Sequence, residues 1–482
     1  MNFKTQTADQ LSSIDYFRLL ALNQSLSQQN ERLAEEIVRL KEENKKLSLR
    51  LLEIEERLNT NSSNSSKSPS QDPFRKTRQS SSSGRKPGGQ PGHPAATRKM
   101  LPPDKVNRMI EIKPEICSRC GTVMTEADSI SVKHRQVVEL SLVSPDVTQY
   151  NVHTCRCKAC GKRVNGQVPQ EARKSFGPRL MAFLTMLSGE ASVTKRKICT
   201  IMRHLGIKIS LGSLCNIHRL AATLLEKPFE EIRSVALQSS NMNADESSWR
   251  YKHSKCWLWI GATPVATFFC IDPSRSQAAF ERIYGGFHNT LTTDRYGAYN
   301  LYLGVRQACL AHIRRDFIKM SERPNADGAI GRILCNQLDA VFALWHQYKA
   351  KILSLDELQR QAKEFVENIK AALTCGATSD GLNSKTAALC NDLLNRFETL
   401  WTFLYQENVE PTNNLAERGL RPAVIFRKIT GGSQSEWGMT FIERLLTVVC
   451  TFRQQAKNIF TFLTGTFHSH IFGGPAPPVL TF

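Results

Sequence analysis

The chain is short of acid. It carries 44 Asp and Glu against 64 Lys and Arg in 482 residues, a formal net charge of +20. A surplus of that size asks for a polyanionic partner, and nucleic acid is the first candidate. The chain also lacks any run of about 18 apolar residues, so no membrane-spanning segment accounts for the charge. Its start, MNFKTQTADQ, has no apolar signal core, which makes a reducing, cytoplasmic setting the expectation. In that setting the fourteen cysteines are not a disulfide framework. Some are expected to be metal ligands and the rest small buried hydrophobes. The length is too great for one core and predicts several units.

What is present begins with a heptad repeat. Leu19, Leu26, Leu33, Leu40, Leu47 and Ile54 recur every seven residues. Four residues behind each runs Asn23, Asn30, Ile37, Asn44, Leu51 and Leu58. Leucine at d with asparagine at several a positions favours a parallel two-stranded coiled coil over 1–60, and hence a homodimer or higher assembly. The other reading is a single amphipathic helix docked on the protein's own body. Residues 61–108 then turn rich in Ser, Pro and Gly, a composition that predicts a disordered linker. Between Lys67 and Arg108 ten basic residues face two acids, Asp72 and Asp104, so the linker could add phosphate affinity or be only a solvated spacer.

Two Cys-x-x-Cys turns follow, CSRCG with Cys117 and Cys120, and CKACG with Cys157 and Cys160. Paired in this way they suit one closed tetrahedral zinc site in a module over 109–170, with Cys155 as a spare thiol. The stretch between them, 131–157, alternates like two strands around an SPD turn. From 171 to 237 the pattern is helical. TKRKICTIMRHLG ends at Gly206, and Ser210 opens a second helix, an arrangement like a helix-turn-helix. Such hairpins also serve as plain packing.

After residue 238 the period becomes strand-like. NMNADESSWRY, KCWLWIGAT, VATFFCID and TLTTDRYGAY read as four strands, and RQACLAHIRRDF as a fifth running into a helix. Three antiparallel strands followed by strand–helix units is a ribonuclease-H-like order, within a multidomain α/β protein. This core would occupy 238–322 and 405–455, with a helical insertion over 323–404 and a tail over 456–482. Asp245 near the end of the first strand and Asp294 at the end of the fourth would lie side by side. Glu417, in EPTNNLAERGLRP, could supply a third carboxylate from a later helix. Its bland reading is a capping box, with Asn414 at N-cap and Glu417 at N3, and Pro422 is expected to kink or end that helix.

The ordered set ADESSWR, TDRYGAY, CLAHIRRDF and PTNNLAERGLRP, with KPGGQPGH, the two cysteine turns and FRKITGGSQSEWG, resembles the insertion-sequence sixty-six family of bacterial DDE transposases, the TnpC type. The resemblance implies that Asp245, Asp294 and Glu417 form the catalytic triad. It also implies binding to terminal inverted repeats and target DNA, nucleoid association, and small accessory proteins from the same element. Thr412 departs from the acidic residue common before the paired Asn. Phosphodiester cleavage and rejoining is well served by two Mg²⁺ ions on such carboxylates, with Mn²⁺ as a substitute. His312, Arg314, Arg315, Arg418 and Arg421 are candidate contacts to DNA phosphates. Two other readings are a catalytically inactive zipper and zinc regulator derived from a transposase, and a nuclease that cuts without joining.

Overall fold

The computed structural model describes residues 13–61, 64–65, 100–112, 115–116, 118–123, 135–138, 145–156, 158–160, 162–378 and 384–480. Most of the expected linker, together with Cys117 and Cys157, lies outside the described residues. In chain order the structure runs α1 (Ser13–Leu58), β1 (Thr154–Arg156), β2 (Arg163–Asn165), α2 (Pro178–Gly189), α3 (Lys195–His204), α4 (Leu211–Leu224) and α5 (Glu226–Leu237). It continues through β3 (Asn241–Tyr251), β4 (Ser254–Ala262), β5 (Thr267–Asp272), α6 (Gln277–Tyr284), β6 (Thr290–Thr293) and β7 (Arg306–Ala308). Then come α7 (Leu310–Ser321), α8 (Asn325–Lys349), α9 (Leu355–Thr378), α10 (Ser384–Asn395), α11 (Thr402–Tyr405), α12 (Asn414–Thr430), α13 (Glu436–Gln454) and α14 (Ile459–Phe472). The chain divides into two compact units, Met1–Arg75 with Leu310–Phe397, and Lys76–Cys309 with Glu398–Phe482. No helix among the described residues is long and apolar enough to cross a membrane.

The first unit is helical. α7 packs on α8, α8 on α9, and α9 on α10. Phe317, Leu334, Leu338, Val341, Leu358 and Leu373 fill the seams. α1 is one helix of 46 residues whose heptad leucines are all exposed, Leu40 at 46% being the least so among them. An isolated helix with an uncovered apolar seam is poorly stable in water, so this seam is expected to find a second copy. Sedimentation should show the full chain as at least a dimer, and a protein truncated to begin after residue 60 should lose that association. Monomers in both cases at micromolar concentration would return α1 to a lone amphipathic helix.

The second unit is built on a five-stranded sheet ordered β5-β4-β3-β6-β7. β3, β4 and β5 form an antiparallel meander, and β6 and β7 add on parallel to β3. Met242, Ala244, Leu258, Trp259, Ile260, Phe268 and Phe269 are all buried, which is how strands covered on both faces read. Helices α2–α5 share this core, α2 packing on α14 and α4 on α13. α3 and α4 follow the expected pattern, with caps at Thr194 and Ser210 and a left-handed Gly206 in the turn (φ 76°). The alternation read into 131–157 is only partly matched. Residues 135–138 and 145–153 carry no strand, 131–134 and 139–144 lie outside the described residues, and only β1 is a strand, paired with β2. Val137 and Val138 are exposed and none of the described residues in this stretch is buried, so among them no buried face rewards the alternation.

The edge strand β5 would be a template for foreign pairing, and α13 closes it. Three side chains one turn apart accept its outward N–H groups. Thr451 Oγ1 takes Thr267 N–H at 3.1 Å, Thr447 Oγ1 takes Phe269 N–H at 3.0 Å, and Glu443 Oε1 takes Ile271 N–H at 2.5 Å. Burial pushes Glu443 up from 4.5 to about 7 against the opposing pull of that bond and of Arg444. A raised carboxyl contributes stability that is full below about pH 4.5 and lost as pH rises through about 7, on the order of 3 kcal/mol in all. Glu443→Gln keeps the acceptor without the charge. Urea unfolding should therefore find the variant gaining on the natural protein between pH 5 and pH 8. A stability difference that is the same at both pH values would contradict this.

Candidate active site

β3 carries the first acid, and its pairing pattern opens a gap beside it. β6 runs parallel to β3 with Asn243 opposite Thr292, and its pairing with β3 ends there. Continued past its last pair, that register would set Asp294 opposite Asp245, each two residues beyond the Asn243–Thr292 pair. Asp245 is thus mid-strand rather than near the strand's end, but it sits where the neighbouring strand stops. Its Oδ1 accepts the N–H of Glu246 at 2.8 Å, an amide the missing neighbour leaves open. Asp294 Oδ1 accepts Tyr296 N–H at 2.9 Å, which turns the chain out of β6.

Glu417 comes from α12, which lies along β3 and β4. Trp249 stacks on Phe426 with ring centroids 6.5 Å apart, so Asp245, Ser247 and Trp249, at alternate positions, face this helix. Gly419 permits the close approach, since a Cβ there would lie 2.6 Å from Ile260 Cδ1, on the residue paired with Asp245. The helix start differs from the capping-box expectation. Asn413, not Asn414, is the N-cap, and its side chain makes no cap bond. Its amide is committed to the sheet: Nδ2 donates to Ala244 O at 2.8 Å, and Oδ1 accepts from Asn243 Nδ2 at 3.0 Å. Fully buried, Asn413 bolts the start of α12 to β3, and its carbonyl accepts Glu417 N–H at 3.1 Å. Glu417 is left one position beyond N3. Pro422 does not end the helix, which continues to Thr430 and stops at left-handed Gly431.

The neighbouring carboxylates act on Asp245. Desolvation raises Asp245 well above the usual carboxylate range, and the charges of Glu246, Asp294 and Glu417 add to it. The side chains acting most strongly on Asp245 are therefore all carboxylates. Such a like-charge cluster in a low-dielectric setting suits a divalent cation, and carboxylate oxygens are the donors that hard Mg²⁺ prefers.

Glu246 is a site residue that sequence reasoning missed. It points to the opposite face of β3 and is buried, with its carboxylate held by Arg275 Nε at 2.7 Å and by the Tyr299 hydroxyl. Burial raises it, while Tyr299 and Arg275 pull it back toward the charged form. Arg275 also lies over the Tyr296 ring, 3.5 Å from its centroid, and its carbonyl accepts the Tyr296 hydroxyl at 3.1 Å. The network ties β3 to the turn that carries Asp294. The only sequence signal was an acid at the inward alternate position next to Asp245.

The remaining candidates lie on α7, on α12 and in the cysteine turns. His312, Arg314 and Arg315 lie on α7 in the first unit, where Arg314 pairs with Asp339 of α8 at 2.6 Å. Arg418 and Arg421 lie exposed on α12, and Arg421 makes no ion pair with the described residues. Cys120 and Cys160 are exposed in turns. The first turn is flanked by an Ile116–Val123 bridge and the second by β1 and β2. Cys155 lies on β1, opposite Val164. Cys117 and Cys157 fall outside the described residues, so the four-thiolate set rests on its spacing.

Comparison with known proteins gives two family matches. A model described as Transposase IS66 family matches residues 173–441, and one of a family of unknown function matches 20–99. The chain is similar to the uncharacterized protein y4qI of Sinorhizobium fredii, 25% identical over 313 residues. The match covers 60% of this chain and 55% of that protein, so the chain spans about half the length of the curated relative it matches.

Proposed function

The chain belongs to the IS66 family of transposases, and we propose that it binds the terminal inverted repeats of a mobile element, cuts the DNA there and joins the freed 3′-OH to target DNA. The observation that carries this reading is the gap beside β3 where Asp294 and Glu417 both act on the charge of Asp245. The sheet order, antiparallel meander and then parallel strands, supports a ribonuclease-H-like core.

In this reading Asp245, Asp294 and Glu417 hold two Mg²⁺ ions, a use of divalent metal that family membership implies. When bound, the ions neutralise charge on the phosphoryl oxygens and favour deprotonation of the attacking hydroxyl. The chain's own part is positioning. Asn413 sets the start of α12 and so the place of Glu417. Arg275, through Glu246 and Tyr296, holds the two strands that carry the aspartates in register. No protein nucleophile is required.

α1 serves as the dimer seam, the cysteine turns as a structural zinc module, and α3 with α4 as a DNA-reading hairpin beside the basic linker. The domain bounds read from the sequence stand as part of this proposal. Lys195, Arg196 and Lys197 open α3, and Arg196 and Lys197 are exposed. The DNA flanking the reading frame supplies the test. It should carry inverted repeats that the full chain binds, with an affinity falling steeply as salt rises. Replacing the exposed Arg196 and Lys197 together with Ala should weaken that binding and flatten its salt dependence. Unchanged binding by a folded variant, or flanks without repeats, would count against the proposal.

A further inference from the structure

The open edge of β3 continues beyond Asp245. Ser433, just after α12, pairs with β3 on the side away from β4, its N–H donating to Arg250 O at 2.8 Å and its carbonyl accepting Lys252 N–H at 2.8 Å. Residues of the same parity face the same edge, so the carbonyl of Ser248 opens there too. Arg427 of α12 occupies the gap. Its Nη1 donates to Ser247 Oγ at 3.1 Å, to Ser248 Oγ at 2.7 Å and to the Ser248 carbonyl. All three partners are neutral oxygens, and no carboxylate among the described residues pairs with this guanidinium. Burial works against its charge, with nothing offsetting it. Neither Nε nor Nη2 is buried without a partner, so both remain open to solvent.

A half-buried arginine in this state suits an anion that arrives from outside. Its Nη1 is anchored two to three residues along β3 from Asp245, roughly 7–10 Å away, about the axial rise of two to three nucleotides of one DNA strand. The helix as a whole is basic as well. α12 carries Arg418, Arg421, Arg427 and Lys428 against the single acid Glu417.

We propose that Arg427, fixed through Nη1 to Ser247 and Ser248, presents Nε and Nη2 to a backbone phosphate of the DNA strand acted on at Asp245, Asp294 and Glu417. The phosphate bound is a neighbour of the one cut, so Arg427 sets how far the strand slides past the acids. This rests on the reading of those three residues as the acids that act on DNA.

The test uses the full chain with duplexes taken from the DNA flanking the reading frame, and it reads binding rather than cleavage. Phenylglyoxal labelling read by mass spectrometry should modify Arg427 in the free protein, and saturating duplex should protect it. Arg427→Gln should lower the log–log salt slope of duplex binding by about 0.9, the loss of one phosphate contact, while Arg427→Lys keeps most of it. Labelling unchanged by duplex, or an unchanged slope in a folded Arg427→Gln protein, would overturn the proposal and leave Arg427 as a helix-to-strand bolt. Should Arg427→Gln fail to fold, the labelling of the natural protein still decides. Absence of cleavage by the natural protein would instead strike at the proposed function, since the labelling is independent of it.

Discussion

Asp245→Asn should abolish strand cleavage while leaving the protein folded, and in chelator it should melt no lower than the natural protein. The two halves of that result have one cause. Asp245 sits where desolvation and three other carboxylates oppose its charge, so the fold alone gains nothing from keeping it ionised. Asparagine has nearly the same shape and can still accept the Glu246 N–H through its carbonyl oxygen. The site, however, loses a charged ligand. Metal assistance is worth several kcal/mol of transition-state stabilisation, so its loss should cost about a thousandfold or more in rate. Asp294→Asn should behave alike. A labelled-end cleavage assay run beside a thermal melt checks both halves. A marked fall in melting temperature with cleavage intact would make Asp245 a structural residue.

The second large effect concerns zinc. Metal analysis of the purified chain should find one zinc per protomer, and Cys157→Ser should remove it while Cys155→Ser should not. Cys155 lies on a strand, whereas Cys160 lies in the turn that follows Cys157. The described strands around the two cysteine turns are at most three residues long and wholly exposed, so they bury no core of their own. Structural zinc in such small modules contributes about 10–16 kcal/mol of apparent binding energy, and that energy is folding energy. Chelation should therefore open the module locally and weaken binding to element ends, leaving the sheet and its helices folded. Loss of zinc in Cys155→Ser alone would move the ligand to Cys155. A chain purified without zinc, yet binding ends normally, would remove the module from the account.

Much of the frame was legible because it is local. Strand alternation in NMNADESSWRY and the apolar run of KCWLWIGAT mark β3 and β4, and Ser210 and Gly206 mark the turn between α3 and α4. Asp245, Asp294 and Glu417 were proposed as a set because their order along the chain matched a known pattern. What escaped were partners far apart in sequence. Asn414 reads as the cap, and only the approach of Ala244 shows why Asn413 takes that position with its side chain turned to the sheet. Glu246 reads as a solvated neighbour of Asp245 until Arg275 and Tyr299, 29 and 53 positions away, are seen to enclose it. The alternating thiol-free acceptors Glu443, Thr447 and Thr451 look like an ordinary helix face, since nothing in α13 itself names the edge strand it covers. The Arg314–Asp339 pair escaped for the same reason, since Asp339 lies on the next helix.

The measurement that bears most directly on the central claim is strand cleavage by Glu417→Gln. Glutamine keeps the side chain's length and an acceptor oxygen, and α12 is held at its start by Asn413 rather than by residue 417. The helix should therefore form and the melting temperature should hold. On labelled element ends in Mg²⁺, the account predicts normal binding with cleavage and joining reduced by about three orders of magnitude. Near-normal cleavage by a well-folded Glu417→Gln protein would contradict it, and would leave Asp245 and Asp294 without their third acid.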